Sequence, residues 1–235
     1  KLSTDTPIFD VEQDFGNYKP KNFDGKFLWP MTLRTALDAS RNIPAIKMFF
    51  LATRGVADTG EKQEYDLVEF LRWLGLLTIE HREKNNLYGP PIALGSAEVR
   101  GIDFATAYTA LANNGQLLPP NPILKIFDPQ GNEIKIDPPA PKQVILPGAA
   151  YMITHILSDN AARPEGWNYF LAMADGRRAA VKTGTSSKKV WQNTLPRDLW
   201  TIWFTPQYTT AVWTGNTDGK PASGRASGME SSALI

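Results

Sequence analysis

The stretch Ala179–Thr185, which reads AAVKTGT, decides both the fold of this chain and the place of its chemistry. Its apolar first half predicts a strand, and a long polar segment follows its last residue. Lys182 supplies a positive charge, and the hydroxyls of Thr183 and Thr185 can donate hydrogen bonds. Gly184 has no side chain, so a ligand can lie against the strand backbone there. Together these residues predict a site for a carboxylate.

Length and composition restrict the class of protein. The 235 residues are 42% hydrophobic and 21% charged, which is typical of a globular domain with a sizeable core. The net charge of +1 gives no basic field for nucleic acid. Without cysteine there is no disulfide framework, thiol nucleophile or cysteine-ligated zinc. His81 and His155 lack the spacing of metal ligands, and no apolar run reaches the roughly 18 residues of a membrane span, so we expect neither a metal site nor a membrane contact.

The pattern along the chain predicts an α+β domain, with helices packed on an antiparallel sheet. Residues 1–30 are rich in Pro, Gly, Asn and Asp, which predicts loop. The predicted helices cover residues 33–39, 44–52, 63–74, 102–112 and 147–157. The predicted strands cover residues 178–185, 200–204 and 209–214, with a hairpin of residues 123–127 and 133–136. We expect Trp200, Trp203 and Trp213 to lie in the core of the sheet.

A second motif with serine and asparagine could complete the site, and two segments are candidates. Ser158–Asn160 reads SDN, but it ends an amphipathic helix, where such residues are common terminators. Ser40–Asn42 reads SRN and lies in a sharp break between two helices, where a loop on a rigid scaffold can present side chains to a cleft. Ser and Asn also favour ordinary turns, so spacing alone leaves the choice open. We expect Arg41 to point towards solvent.

The segments that flank Ser40 resolve this choice. They read YKPKNFDGK over Tyr18–Lys26, MTLRTAL over Met31–Leu37 and SRNIPA over Ser40–Ala45. These segments resemble the transpeptidase domain of class A penicillin-binding proteins, in which the last of them carries the S-x-N motif. The resemblance continues in family order along nearly the whole chain, through Ala93–Val99, Ala107–Gly115, Ile156–Arg163, Lys182–Thr185, Asp198–Trp200 and Val212–Asn216. In the family, the stretch that contains Ser158 looks non-catalytic.

The resemblance implies the fold that penicillin-binding proteins share with serine β-lactamases, and a peptidoglycan D,D-transpeptidase activity. In such enzymes a serine attacks the carbonyl of the penultimate D-alanine of a stem peptide, and the terminal D-alanine leaves. An amine of a neighbouring stem peptide then takes the acyl group, which forms the cross-link. β-Lactams acylate the same serine. The implied partners are therefore stem peptides and β-lactams, and no cofactor is implied.

The resemblance also implies roles for individual residues. Ser40 would relay a proton to the leaving nitrogen, and Asn42 would hydrogen-bond the substrate amide. Lys182 would polarise the hydroxyl network and attract the carboxylate. In the segment Thr183–Thr185, which includes Gly184, the hydroxyls would bind the substrate carboxylate, and the last backbone N–H would form half of the oxyanion hole.

This chain departs from the family at the position of the nucleophile. It is the serine of an S-x-x-K motif on a helix upstream of the S-x-N segment, and no residue before Ser40 fits. The one literal S-x-x-K is Ser186–Lys189, which we predict to be part of a solvated loop over residues 186–197. We therefore expect residues 1–235 to form a partial transpeptidase domain, incomplete at both ends and without turnover on its own.

Two other functions stay open at this point, and the resemblance adds a cellular context. The same motifs would also suit a D,D-carboxypeptidase or a β-lactamase-type hydrolase, because water and amine acceptors leave the same signature. A non-catalytic binding fragment is the second alternative. By resemblance, the parent protein would carry an upstream glycosyltransferase domain. It would be anchored in the bacterial cytoplasmic membrane with the transpeptidase on the extracytoplasmic face.

Overall fold

The computed structural model describes residues 2–16, 18–53, 67–80, 88–190, 193–222 and 226–234. Helices lie at Leu33–Asp38 (α1), Asn42–Thr53 (α2), Leu67–Trp73 (α3), Gly101–Ala112 (α4), Pro147–Leu157 (α5), Trp167–Leu171 (α6) and Gly228–Ser231 (α7), with 3-10 turns at Pro90–Leu94 and Ser232–Leu234. Strands lie at Pro7–Asp10 (β1), Trp29–Thr32 (β2), Gln116–Leu117 (β3), Ile126–Phe127 (β4), Glu133–Ile134 (β5), Lys142–Gln143 (β6), Ala180–Val190 (β7), Asn193–Phe204 (β8) and Thr209–Thr214 (β9).

Within the described part of the chain, the principal sheet contains three antiparallel strands in the order β7-β8-β9. Lys182 lies opposite Ile202, and Gly184 lies opposite Trp200. The central strand β8 is rich in β-branched and aromatic residues, which favour a half-buried pleated surface. Its residues Thr201 and Ile202 have side chains that are almost completely buried. The segment with the lysine and the threonines therefore forms an outer strand of a well-packed sheet.

Helices cover both faces of this sheet. On one face, α4 and α5 pack against it, and a core cluster joins Leu157 of α5 to Ala180 and Phe204 of the strands. On the same face, the ring of Phe104 meets that of Trp200 edge-on at 5.4 Å. Because neighbouring residues of a strand point to opposite faces, Thr201 points the other way, and its hydroxyl donates to the Gly228 carbonyl of α7 at 2.9 Å. The predicted α+β class, with helices on an antiparallel sheet, is confirmed.

The prediction of a solvated loop over residues 186–197 is wrong. Residues 186–190 continue β7 and residues 193–197 belong to β8, and the two strands pair from Ser187 with Pro196 to Val190 with Asn193. Ser186 also lies in β7, and its hydroxyl donates to Asp198 at 2.7 Å. The polar composition was misleading because ladder hydrogen bonds hold paired strands together even where few of their side chains are apolar.

The N-terminal residues also contain structure that composition did not predict. β1 pairs antiparallel with β2, so that Ile8 lies opposite Met31. The prolines and polar residues of this region indicated loop, but here they flank short strands. The expectation that Arg41 points to solvent is wrong: its side chain is 7% exposed, and Nε lies 2.9 Å from an oxygen of Asp10, whose side chain has no exposed surface. The buried carboxylate draws the guanidinium inward, since a buried charge needs a partner.

Several other predictions can be compared directly with the observed elements and side-chain burial. Helix α5 ends at Leu157, with Ser158 at its C-terminal cap, as the SDN segment predicts for a helix end. Trp200 and Trp203 are half-buried, whereas Trp213 is 38% exposed, so its assignment to the sheet core is wrong. The predicted hairpin after α4 is present but short, as β4 and β5. Residues 63–66 and His81 lie outside the described residues.

Candidate active site

Ser40 lies in a tight break between α1 and α2. The Thr32 hydroxyl accepts a hydrogen bond from the Thr35 N–H and so caps the start of α1. After α1 ends, the Arg41 N–H bonds back to the Ala36 carbonyl at 2.9 Å, and Ser40 has a φ of 53°. A non-glycine residue in this left-handed region costs about 1–2 kcal/mol. The sequence break that was predicted from Ser and Asn is thus a strained turn that fixes the direction of one hydroxyl.

The Ser40 hydroxyl meets Lys182 across the molecule. The Lys182 ammonium donates to Ser40 Oγ at 2.6 Å and to the Thr183 carbonyl at 2.7 Å, and the first contact joins residues 142 positions apart. Although Lys182 keeps some exposed surface, its ammonium lies within the protein, and this burial lowers its pKa to about 8. A lysine with this pKa is present in both protonation states at moderately alkaline pH, so it can exchange a proton with Ser40.

Asp38 is a buried acid beside this pair that sequence reasoning missed. Its side chain is 2% exposed, and Oδ1 lies 3.7 Å from Nε of Arg163. Burial raises the pKa of Asp38 to about 6, while the Arg163 charge opposes that rise. The carboxylate in turn raises the pKa of Lys182, against the larger effect of burial. Asp38 could not be found from the sequence because its position in α1 carries no motif of its own.

Asn42 follows the turn as the first residue of α2. Its side-chain nitrogen donates to the Lys21 carbonyl at 2.8 Å, and its backbone N–H donates to Oδ1 of Asn22 at 2.9 Å. Asn22 in turn donates to Asp10 at 2.8 Å. The structure therefore joins Ser40 directly to Lys182, while the bonds of Asn42 run to the segment before β2.

The threonines and the glycine lie along β7 next to Lys182. Gly184 is exposed, so a ligand can approach the strand backbone at this position. Thr185 Oγ1 accepts a hydrogen bond from the Gly228 N–H at 3.1 Å, and a hydroxyl that accepts one bond keeps its own proton for a ligand. Gly228 thus supports the strand from behind. Like Asp38, it had no recognisable signal in the sequence.

The described residues give no sign of a metal centre or a membrane span. No group of three His, Asp or Glu side chains in this part of the chain is arranged to hold a metal ion. Among the helices that the structure describes, none has both the length and the apolar character needed to cross a bilayer.

Replacing Lys182 with methionine is expected to change how stability depends on pH. The unfolded chain holds the lysine proton up to a pKa near 10.5, whereas the folded chain releases it near 8. Stability rises with pH wherever the unfolded state binds more protons, so the native chain gains up to about 3 kcal/mol relative to the variant between these two values. Urea unfolding of both proteins at pH 7 and pH 9.5 should show about 2 kcal/mol of this gain, because pH 9.5 lies below the upper pKa.

The exposed Lys135 provides a control for this experiment. The stability difference between the native chain and a Lys135→Met variant should not change between the two pH values. If the difference in free energy of unfolding between the native chain and Lys182→Met is the same at both pH values, the Lys182 ammonium is not buried.

Solved structures of other proteins share this fold. The penicillin-binding protein PonA1 of Mycobacterium tuberculosis aligns with 99% of this chain and 62% of its own, with a TM-score of 0.78 and 22% identity. The same protein in complex with penicillin V aligns with a TM-score of 0.71. Penicillin-binding protein 1A of Haemophilus influenzae gives 0.72. The fold is that of penicillin-binding proteins and serine β-lactamases.

Sequence comparison defines the family. The profile described as the penicillin binding protein transpeptidase domain matches residues 1–233. Penicillin-binding protein 1A/1B of Bacillus subtilis is 33% identical over 224 residues, and penicillin-binding protein 1C of Escherichia coli is 30% identical over 223. The chain belongs to the penicillin-binding protein transpeptidase family and is a transpeptidase domain of the class A type. It spans 23% and 24% of the length of these two relatives.

Proposed function

We propose that this chain forms the acyl-transfer site of a peptidoglycan D,D-transpeptidase, apart from its nucleophile. The observation that carries the proposal is the 2.6 Å hydrogen bond from Lys182 to Ser40. In the reaction, a serine hydroxyl outside this chain attacks the penultimate D-alanine carbonyl. The peptide bond breaks, D-alanine leaves with a proton, and an ester remains. An amine of a second stem peptide attacks the ester, forms the new peptide bond and releases the serine.

Ser40 and Lys182 are proposed to carry the proton in these steps. Ser40 Oγ accepts a hydrogen bond from the Lys182 ammonium at 2.6 Å, so it can pass a proton to the leaving nitrogen and recover one from Lys182. The lowered pKa of Lys182 supports this role, because a group with a pKa near the working pH transfers protons in both directions. Asn42, two residues further on, is proposed to bind the substrate amide.

The outer strand β7 is proposed to bind the stem peptide. The Thr183 and Thr185 hydroxyls donate to its terminal carboxylate, and Lys182 supplies the attracting charge. The bare backbone at Gly184 lets the peptide lie close to the strand. The Thr185 N–H provides half of the oxyanion hole, and loss of one such donor lowers the rate by about 10²–10³.

This chain alone is proposed to be inactive. Its one S-x-x-K segment begins at Ser186, whose hydroxyl is engaged with Asp198 instead of a lysine. The domain is proposed to lie on the extracytoplasmic side of the bacterial cytoplasmic membrane, in a parent with an upstream glycosyltransferase domain. The class A relatives support that arrangement. β-Lactams are proposed as ligands of the same site, and the solved complex of M. tuberculosis PonA1 with penicillin V supports this proposal.

Incubation with benzylpenicillin tests this proposal. The intact mass of the chain should remain unchanged, with circular dichroism showing that it is folded. The full-length parent, which supplies the serine, should gain one benzylpenicilloyl group. An adduct on the chain alone would overturn the assignment of the nucleophile, and peptide mapping would then choose between Ser40 and Ser186. Analysis of products from the parent with and without an amine acceptor separates cross-linking from hydrolysis.

A further inference from the structure

The ladder between β7 and β8 is interrupted at one place, directly after the proposed carboxylate-binding residues. Thr185 lies opposite Leu199, and pairing resumes with Ser187 opposite Pro196. One residue of β7 is therefore opposed by two of β8, Arg197 and Asp198, which is the geometry of a β-bulge. Bulges twist a strand and redirect the side chains beside them, and they are frequent next to active sites. The neighbouring proline suits this position, because it has no N–H to place in a ladder.

Asp198 holds this bulge through contacts with two strands. Its Oδ2 accepts the Ser186 hydroxyl at 2.7 Å, and its own N–H donates back to the same hydroxyl oxygen at 3.0 Å. Its Oδ1 accepts the indole N–H of Trp213 on β9 at 3.1 Å. The reciprocal pair with Ser186 closes a small ring across the bulge, so the residue after Thr185 is fixed to the central strand.

We infer that Asp198 and Ser186 are positioning residues for carboxylate recognition at Thr185. Neither residue is placed against the substrate. Their hydrogen bonds fix the bulge, the bulge sets the direction of β7 at Thr185, and that direction decides where the Thr185 hydroxyl and N–H point. Gly228 holds the Thr185 hydroxyl from the other side at 3.1 Å, so the strand end is supported at two places. This inference rests on the proposed function, because it assumes that the ligand carboxylate lies at Thr185.

Binding of benzylpenicillin and of its methyl ester tests the inference on the chain itself. The two ligands differ only in the carboxylate, and amide chemical shifts in a titration give both dissociation constants without an acylation step. The native chain should bind the acid more tightly than the ester. Ser186→Ala and Asp198→Ala should reduce this preference about tenfold, the effect of one lost hydrogen bond to a charged group, and leave affinity for the ester unchanged.

Two conservative variants distinguish positioning from a general loss of structure. Ser186→Thr keeps the hydroxyl and should retain the preference for the acid within about twofold. Trp213→Phe removes the contact of Asp198 with β9 but leaves the Ser186 ring, and it should also retain the preference for the acid within about twofold. A folded Ser186→Ala variant with the native preference would overturn the inference. If the native chain itself shows no preference for the acid, the proposed carboxylate site fails instead, which separates the two failures.

Discussion

Replacing Asp10 with alanine is expected to lower the free energy of unfolding by about 3–5 kcal/mol. The Asp10 side chain has no exposed surface and accepts from Arg41 Nε at 2.9 Å, Asn22 Nδ2 at 2.8 Å and the Leu28 N–H at 3.1 Å. Without Asp10, the guanidinium of Arg41, which is only 7% exposed, has lost its buried carboxylate partner. Urea unfolding of the variant and the native chain measures the loss.

Asp24 offers a matched control, because it contacts the same guanidinium from the surface. Its carboxylate lies 3.0 Å from Arg41 Nη1, but its side chain is 41% exposed. Solvent screens an exposed pair, so Asp24→Ala should cost less than about 1 kcal/mol. The double variant Asp10→Ala with Arg41→Met removes both buried charges and should recover part of the loss. Equal effects of the Asp10 and Asp24 changes would contradict the buried ion pair.

Replacing Gly228 with alanine is expected to lower the free energy of unfolding by about 4 kcal/mol. The loss comes from overpacking and from weakening of the hydrogen bonds that Gly228 makes with the hydroxyls of Thr201 and Thr185. A Cβ at this position would come within 2.7 Å of the Gly184 carbonyl and even closer to that of Trp200. Both obstacles are backbone atoms of β7 and β8, so neither can move without breaking the sheet. The change should also weaken binding of benzylpenicillin, since the Gly228 N–H holds the Thr185 hydroxyl.

Gly148 in α5 is the control for this substitution. A Cβ there meets no atom within 4 Å, and alanine is favoured over glycine within a helix by about 1 kcal/mol. Gly148→Ala should therefore leave stability unchanged or raise it slightly, with ligand binding unaffected. Denaturant unfolding and the benzylpenicillin titration are measured for both variants. A Gly228→Ala variant as stable as Gly148→Ala would show that α7 does not pack on the sheet at this point.

The sequence predicted the limits of those elements that have clear local signals at both ends. Helix α5 begins at Pro147 and ends at Leu157, because a proline at the first turn and a polar cap after the last turn are both local signals. Strand β9 matches its predicted limits for a similar reason, since its β-branched run is bounded by a turn. The prediction failed for the strand residues after Thr185, because polar paired strands have the amino-acid composition of a loop.

The candidate site was predictable where family motifs name residues, and hidden where tertiary contacts decide. The motif positions of Ser40 and Lys182 predicted a pair that the structure brings to 2.6 Å. The burial of Arg41 depends on Asp10, which is 31 residues away and lies in a region that composition predicted to be loop. Asp38 and Gly228 act through packing against other elements, so no pattern along the chain could identify them.

The backbone at Ser40 also bears on how this domain could be made more robust. A common engineering strategy replaces non-glycine residues that have positive φ, and the described residues of that kind are Trp29, Ser40 and Asn114. Glycine at position 40 would relieve the strain of the turn, because it adopts positive φ without a steric penalty. It would also delete the hydroxyl that meets Lys182. A selection for thermal tolerance alone would therefore favour loss of the serine, and only a selection that also includes the proposed proton transfer would retain it.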